Sequence, residues 1–164
     1  MATNTFSLPQ YVQMSRGSSR IADFAVEEYA RRYGEGIQKL QESYMIGQKE
    51  SLSELDRVCE ECKSAGWDGY GSEAVSASAR KFSKDFLLAL PLGTPAPAVG
   101  AEPDGHITLE WYKSPYQTLS VSVSPEGHLH FAALMGASKQ YGSEPFCDEM
   151  PQPILNLIYR VSMR

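Results

Sequence analysis

Between His106 and Leu134 apolar and polar positions alternate almost without a fault. In HITLEWY, Ile107, Leu109 and Trp111 fall on one face and His106, Thr108, Glu110 and Tyr112 on the other. In TLSVSVS, Leu119, Val121 and Val123 lie opposite the side that carries Ser120, Ser122 and Ser124. A period of two with one greasy face describes half-buried antiparallel strands. The turns set the register. In the tripeptide PEG, residues 125–127, proline suits the first corner of a type I turn and Gly127 the left-handed position after it. Ser124 then opposes His128, Ser122 opposes His130, and Val121 opposes Phe131. Closure of the preceding hairpin by KSPYQ sets Tyr112 against Thr118, Thr108 against Ser122, and His106 against Ser124. The expectation is a three-stranded meander over about 106–112, 118–124 and 128–134.

Helical spacing flanks this ribbon. Ile21, Phe24, Ala25, Tyr29 and Tyr33 predict a helix over 21–33 that Gly34 and Gly36 would stop. Ile37, Leu40 and Tyr44 predict another over 37–46, broken at Gly47. Ser51 and Glu54 have capping-box spacing ahead of Leu55, Val58, Cys59 and Cys62, which predicts a third over 52–65, ended by a left-handed Gly66. Val75, Ala79, Phe82, Phe86, Leu87 and Leu90 predict a helix over 77–90, capped by Ser76 and stopped by Pro91. Ile154, Leu157, Ile158 and Val161 predict a last helix over 154–163, entered through Pro151 and Pro153. Residues 1–19 read as a flexible arm and 20–164 as a single domain. The stretch Pro91–Gly105, with four prolines and three glycines, reads as an irregular crossover, and 136–153 as loop. The fold class is α+β: N-terminal helices, the meander, and a C-terminal helix packed on one sheet face, leaving the other face polar and open.

At 164 residues the chain is long enough for one genuine core. Its net charge of −5, with lysine and arginine scattered, offers no basic stripe for a phosphate backbone, so nucleic acid is an unlikely partner. No apolar run approaches the ~20 residues needed to span a bilayer, so no membrane association is expected. The opening MATNTFSLPQYVQMSRGSSR lacks an export signal, which makes a cytoplasmic location the expectation. Three cysteines in a reducing compartment argue for free thiols. Cys59 and Cys62 fall inside an amphipathic helix, where buried thiols are expected rather than a redox pair. Zinc would need further ligands such as Cys147 with His128 or His130, so no metal or other cofactor is expected.

The turn AGWDGYG, 65–71, connects two helices: Trp67 plugs the core, Asp68 bonds the turn's own amides, and glycines supply positive φ. Asp68 and Tyr70 are nonetheless binding candidates, because the turn presents them outward. On the polar sheet face His106, His128 and His130 join Thr108, Glu110 and the serines. The register puts His106 and His128 two strands apart, about 10 Å, too far for proton transfer or shared coordination. Glu110, Tyr112, Tyr116, His128 and His130 therefore read as binding rather than catalytic residues, and Trp111 as core.

GWDGYGSEAVS, FLLALP and EPDGHITLEW, in this order and spacing, resemble a set of uncharacterised small bacterial proteins. These share a WDGYG turn, a helix ending in LP and a PDGxIxLEW strand. The resemblance covers about 55–131 and leaves residues 1–50 outside. Members often accompany mobile or accessory genomic regions, which implies small regulatory or inhibitory binding proteins and carries no activity with it. The expected function is a non-catalytic protein-binding module, an antitoxin-like regulator or an inhibitor of a larger bacterial complex. Its partner would be another protein or protein complex. The alternative is a small metal-dependent or histidine-based hydrolase using His128 and His130 with Glu110 or Asp68. Self-association through Tyr29, Tyr33 and Tyr44, giving a homodimer, is a third expectation.

Overall fold

Ile107, Leu109, Leu119, Val121, Val123 and Leu129 are sealed from solvent, and Trp111 nearly so, which is what the alternation demands. The computed structural model describes residues 20–147 and 149–162, with the side chains of 20–24 and 40–46 left out. Among the described residues the order is α1 (Arg20–Glu61), α2 (Ala77–Ala89), β1 (Ala98–Ala101), β2 (Ile107–Ser114), β3 (Gln117–Val123), β4 (His128–Met135), β5 (Ser138–Pro145) and α3 (Gln152–Ser162). The five strands form one antiparallel sheet in sequential order. The fold class is therefore α+β, with α3 packed on β2, β3 and β4.

The meander keeps the expected register: Tyr112 faces Thr118, Thr108 faces Ser122, Ser122 faces His130 and Val121 faces Phe131. The PEG turn closes as anticipated, with Gly127 at φ +80° and its amide donating to the Ser124 carbonyl. Only His106 departs, because the β2–β3 ladder ends at Ile107 and Val123. The His106 carbonyl instead accepts from the Glu102 amide and closes the β1–β2 turn.

Two strands lie where irregular chain was expected. β1 falls in the proline-rich crossover and pairs with the first half of β2. β5 falls in the stretch after Met135, entered through a two-residue loop with Gly136 at φ +63°. Its residues are solvent-exposed on both faces apart from a half-buried Glu144, so no alternation marks it. Gly142 sits directly opposite Phe131, and a β-carbon there would lie 2.8 Å from the Phe131 ring. The bare backbone lets that ring lie across the edge strand.

Three expected helices are one. α1 runs unbroken for 42 residues through Gly34, Gly36 and Gly47. Each glycine costs roughly 1 kcal/mol against alanine inside a helix, too little to break one that other contacts support. Across Gly34, Arg31 pairs with Glu35, and one turn earlier Glu28 pairs with Arg32, both at i,i+4 spacing. Ser51 is not a cap: it is buried mid-helix, its hydroxyl donating to the Pro97 carbonyl, while Glu54 pairs with Arg57. The helix ends at Glu61, and Gly66 takes its left-handed φ of +76° in the following turn. The expected arm at 1–19 lies outside the described residues, as do the side chains of Ile21, Phe24, Leu40 and Tyr44. No helix among the described residues is long and apolar enough to cross a membrane.

The chain divides into a unit ending at Lys39 and a unit from Leu40 onward. The first shows a helix with Tyr29 and Tyr33 exposed and stacked, ring centroids 6.3 Å apart. The second holds the sheet and its core. There α2, capped by Ser76 as expected, buries Phe86 edge-on against both Trp111 and Phe146. α3 buries Ile154, Leu157, Ile158 and Val161, the four positions its period selects.

Phe86 has no exposed surface and touches both aromatic neighbours, so Phe86→Ala should cost about 3–5 kcal/mol. Urea denaturation of the full chain checks this, with Tyr70→Ala, at a residue 96% exposed, changing stability by less than about 0.5 kcal/mol.

Candidate functional site

The helical layer lies on the apolar side of the sheet, so the other side carries the polar row positions to solvent. Read across the strands, one row is Gly100, Thr108, Ser122, His130 and Ser143. The next is Ala98, Glu110, Ser120, Ala132 and Tyr141, and beyond it stand Tyr112, Thr118, Leu134 and Lys139. Tyr112, Tyr116 and Tyr141 are 63%, 71% and 85% exposed. Tyr141 was hidden from sequence reasoning because β5 was; the glycine of its entry loop was the available signal.

The serines of β3 shape the middle of this face. Short side chains along the central strand leave room for longer ones on β2 and β4 to lean inward. His106 and His130 do so and stack over Ser122, with ring centroids 6.0 Å apart and planes 9° from parallel. His128 stacks on the other side of His130 at 6.4 Å. The expectation that pairing register keeps the imidazoles mutually distant is therefore corrected. Backbone separation across two strands does not bound side-chain separation when the intervening residue is small.

Polar groups around the row are paired. Ser122 Oγ lies 3.1 Å from His106 Nδ1, rather than serving His130 across the ladder, and Thr108 and Ser120 share a hydroxyl hydrogen bond. Thr118 donates to Glu110. Ser124 Oγ accepts from the amides of Glu126 and His128. The Glu126 carboxyl at the hairpin tip is held below the usual carboxylate range, first by the Ser124 hydroxyl and then by its own amide. The positive fields of His106 and His128 act in the same direction.

This geometry does not assemble a hydrolase. Asp104 Oδ2 approaches His106 at 3.7 Å, but on Nδ1, the nitrogen that also faces Ser122. A relay requires acid and nucleophile on opposite nitrogens of the base. Ser122 also sits inside a central strand, where its backbone groups belong to the ladder and not to an oxyanion hole. Among the described residues, one trio of metal-type ligand atoms falls within 4.8 Å of one another: Glu102, Asp104 and His106. His128 and His130 form no such group with Glu110 or Asp68, the carboxylates the alternative enzyme reading needs. Cys59 and Cys62 are buried, and burial pushes both thiols above their ordinary range, away from reactivity.

The WDGYG turn is built as a connector. Asp68 Oδ1 accepts the amides of Tyr70 at 2.8 Å and Ser72 at 3.2 Å, which holds its carboxyl below the ordinary value. Gly66, Gly69 and Gly71 all take positive φ, and the Trp67 indole donates to the Glu73 carbonyl. Tyr70 stands in solvent. The Glu73 amide then donates to the Pro103 carbonyl, and a β-carbon on Gly105 would lie 3.0 Å from the Ala74 carbonyl oxygen. The pieces GWDGYGSEA and EPDG are thus clasped together, and neither lies in the histidine row.

No family model, curated protein or solved structure matches the chain.

Because the Asp68 carboxyl is depressed in the folded state, its contribution to stability is present above the unfolded value and lost as pH falls through the folded one. Asp68→Ala should therefore destabilise most at neutral pH, and the gap from the parent should narrow below about pH 4. Denaturation midpoints measured from pH 7 down to pH 2.5 check it.

Proposed function

We propose that this protein is a non-catalytic binding module that docks another protein on the outer face of its sheet, a bacterial regulator or an inhibitor of a larger bacterial complex. The observation that carries the reading is the outer face itself. It is flat and polar, free of the helices that cover its reverse, and bordered by three exposed tyrosines. Tyrosine brings large contact area at small entropic cost and recurs among the residues that dominate interface energies. The stacked imidazoles with Ser122, Thr108 and Ser120 between them supply donors and acceptors for the polar part of such an interface. The net charge of −5 favours a partner with a basic contact surface.

The resemblance to small proteins of mobile and accessory regions supports a regulatory role in the same direction. Glu110, Tyr112, Tyr116, His128 and His130 would contribute contacts, joined by Tyr141 and His106. Tyr70 lies apart from them, and Asp68 is engaged in its own turn.

The test is a partner that co-purifies from a bacterial host, is identified by mass spectrometry and is rebuilt with the protein from purified components. Tyr112→Ala with Tyr141→Ala should weaken that complex by about 30-fold or more, as loss of an anchor worth roughly 2 kcal/mol requires. Tyr70→Ala should leave it intact. Unchanged affinity in the double variant would remove this face from the account.

A further inference from the structure

β1 covers only the first half of β2. Its four residues pair with Ile107–Glu110, whereas β2 continues to Ser114, paired there only on its β3 side. The cause is in the sequence. Pro95 and Pro97 have no amide hydrogen and cannot extend a ladder. Their carbonyls are held elsewhere, Pro95 by the Trp111 indole at 2.8 Å and Pro97 by the Ser51 hydroxyl. The incoming chain splays away from β2 and leaves a groove of about 370 Å³, lined by Pro95, Ala96, Ala98, Trp111, Lys113 and Val161, with Glu110 and Tyr112 at its side.

The backbone of one residue points into this groove. The His106 carbonyl faces β1, since it accepts from Glu102, and the N–H and C=O of alternate strand residues point to the same edge. Thr108, Glu110 and Tyr112 therefore present theirs to the β1 side. β1 meets the first two of these and stops short of Tyr112. Among the described residues no backbone hydrogen bond outside the ladders engages the Tyr112 amide or carbonyl. A donor and an acceptor in strand geometry, beside a groove with apolar walls, match one kind of ligand, another extended main chain.

We infer that this groove receives an extended segment of a partner protein, added antiparallel to β2 in line with β1. The segment carries a basic residue opposite Tyr112, flanked by apolar residues. The residue opposite Tyr112 points to the outer face, beside the Glu110 carboxylate and the tyrosine ring, and the chain's net charge of −5 favours lysine or arginine there. Its neighbours point inward toward Trp111 and Val161. This site goes beyond the outer-face reading, because its hydrogen bonds run in the plane of the sheet, and either can fail without the other.

The probe is the peptide Ac-Thr-Val-Arg-Val-Thr-amide, titrated into ¹⁵N-labelled full-length protein. Saturable shifts should centre on Trp111–Ser114, and hydrogen exchange of the Tyr112 amide should slow. N-methylation of the arginine amide, the one that bonds Tyr112, should weaken binding about tenfold. N-methylation of the second valine, whose amide points away, should leave it unchanged. Tyr141→Ala protein should bind the peptide as the parent does, which separates this edge from the outer face. Absence of saturable shifts at millimolar peptide, shifts centred elsewhere, or equal effects of the two methylations would overturn the inference.

Discussion

Ile107, Leu109, Trp111, Leu119, Val121, Val123 and Leu129 must be kept from water, and in three adjacent strands they project from one face. Each such side chain contributes roughly 1.5–3 kcal/mol on full burial, so this one face dominates the energetics of the second unit. Ile154, Leu157, Ile158 and Val161 of α3 and Phe86 and Leu87 of α2 supply the cover. The helical layer is drawn to that side alone. The pleat then sends every alternate residue outward, and the open face is as much a product of hydrophobic burial as the core is.

The polar face takes its character from residue size. Serines at three successive outward positions of β3 are too short to fill the space between β2 and β4, so His106 and His130 close over the middle strand and His128 joins them. The clasp at the other end of the domain explains why the pieces shared with small bacterial proteins travel together. The WDGYG turn bonds the PDG turn through Glu73 and Pro103, and the FLLALP helix sets Phe86 against the tryptophan of the LEW strand. Those motifs hold the scaffold, while the imidazole row and exposed tyrosines mostly sit at the positions between.

Most of the scaffold was legible because its signals are periodic and strong. The meander register, the Ser76 cap, the PEG turn and the buried face of α3 all follow from local chemistry. What escaped detection lacked a pattern to betray it. β5 is exposed on both faces, so nothing forces its residues to alternate, and β1 is four residues long between prolines. The long α1 was misread as three helices because glycine is a statistical stop and a weak physical one. Ser51 mimicked a cap because a buried serine bonding a distant carbonyl leaves the same mark in the sequence. The histidine row was placed on the correct face and at the wrong spacing, since register reports backbone distance and the rings meet by leaning over serines.

The account depends on one face of the sheet being sealed and the other open. Hydroxyl-radical footprinting of the full-length protein, read residue by residue by mass spectrometry, measures this directly. Tyr112, Tyr116 and Tyr141 should be oxidised at rates near that of Tyr70, while Trp111, Phe86 and Phe146 stay protected. Protection of Tyr112 and Tyr141 equal to that of Trp111 would contradict an open outer face.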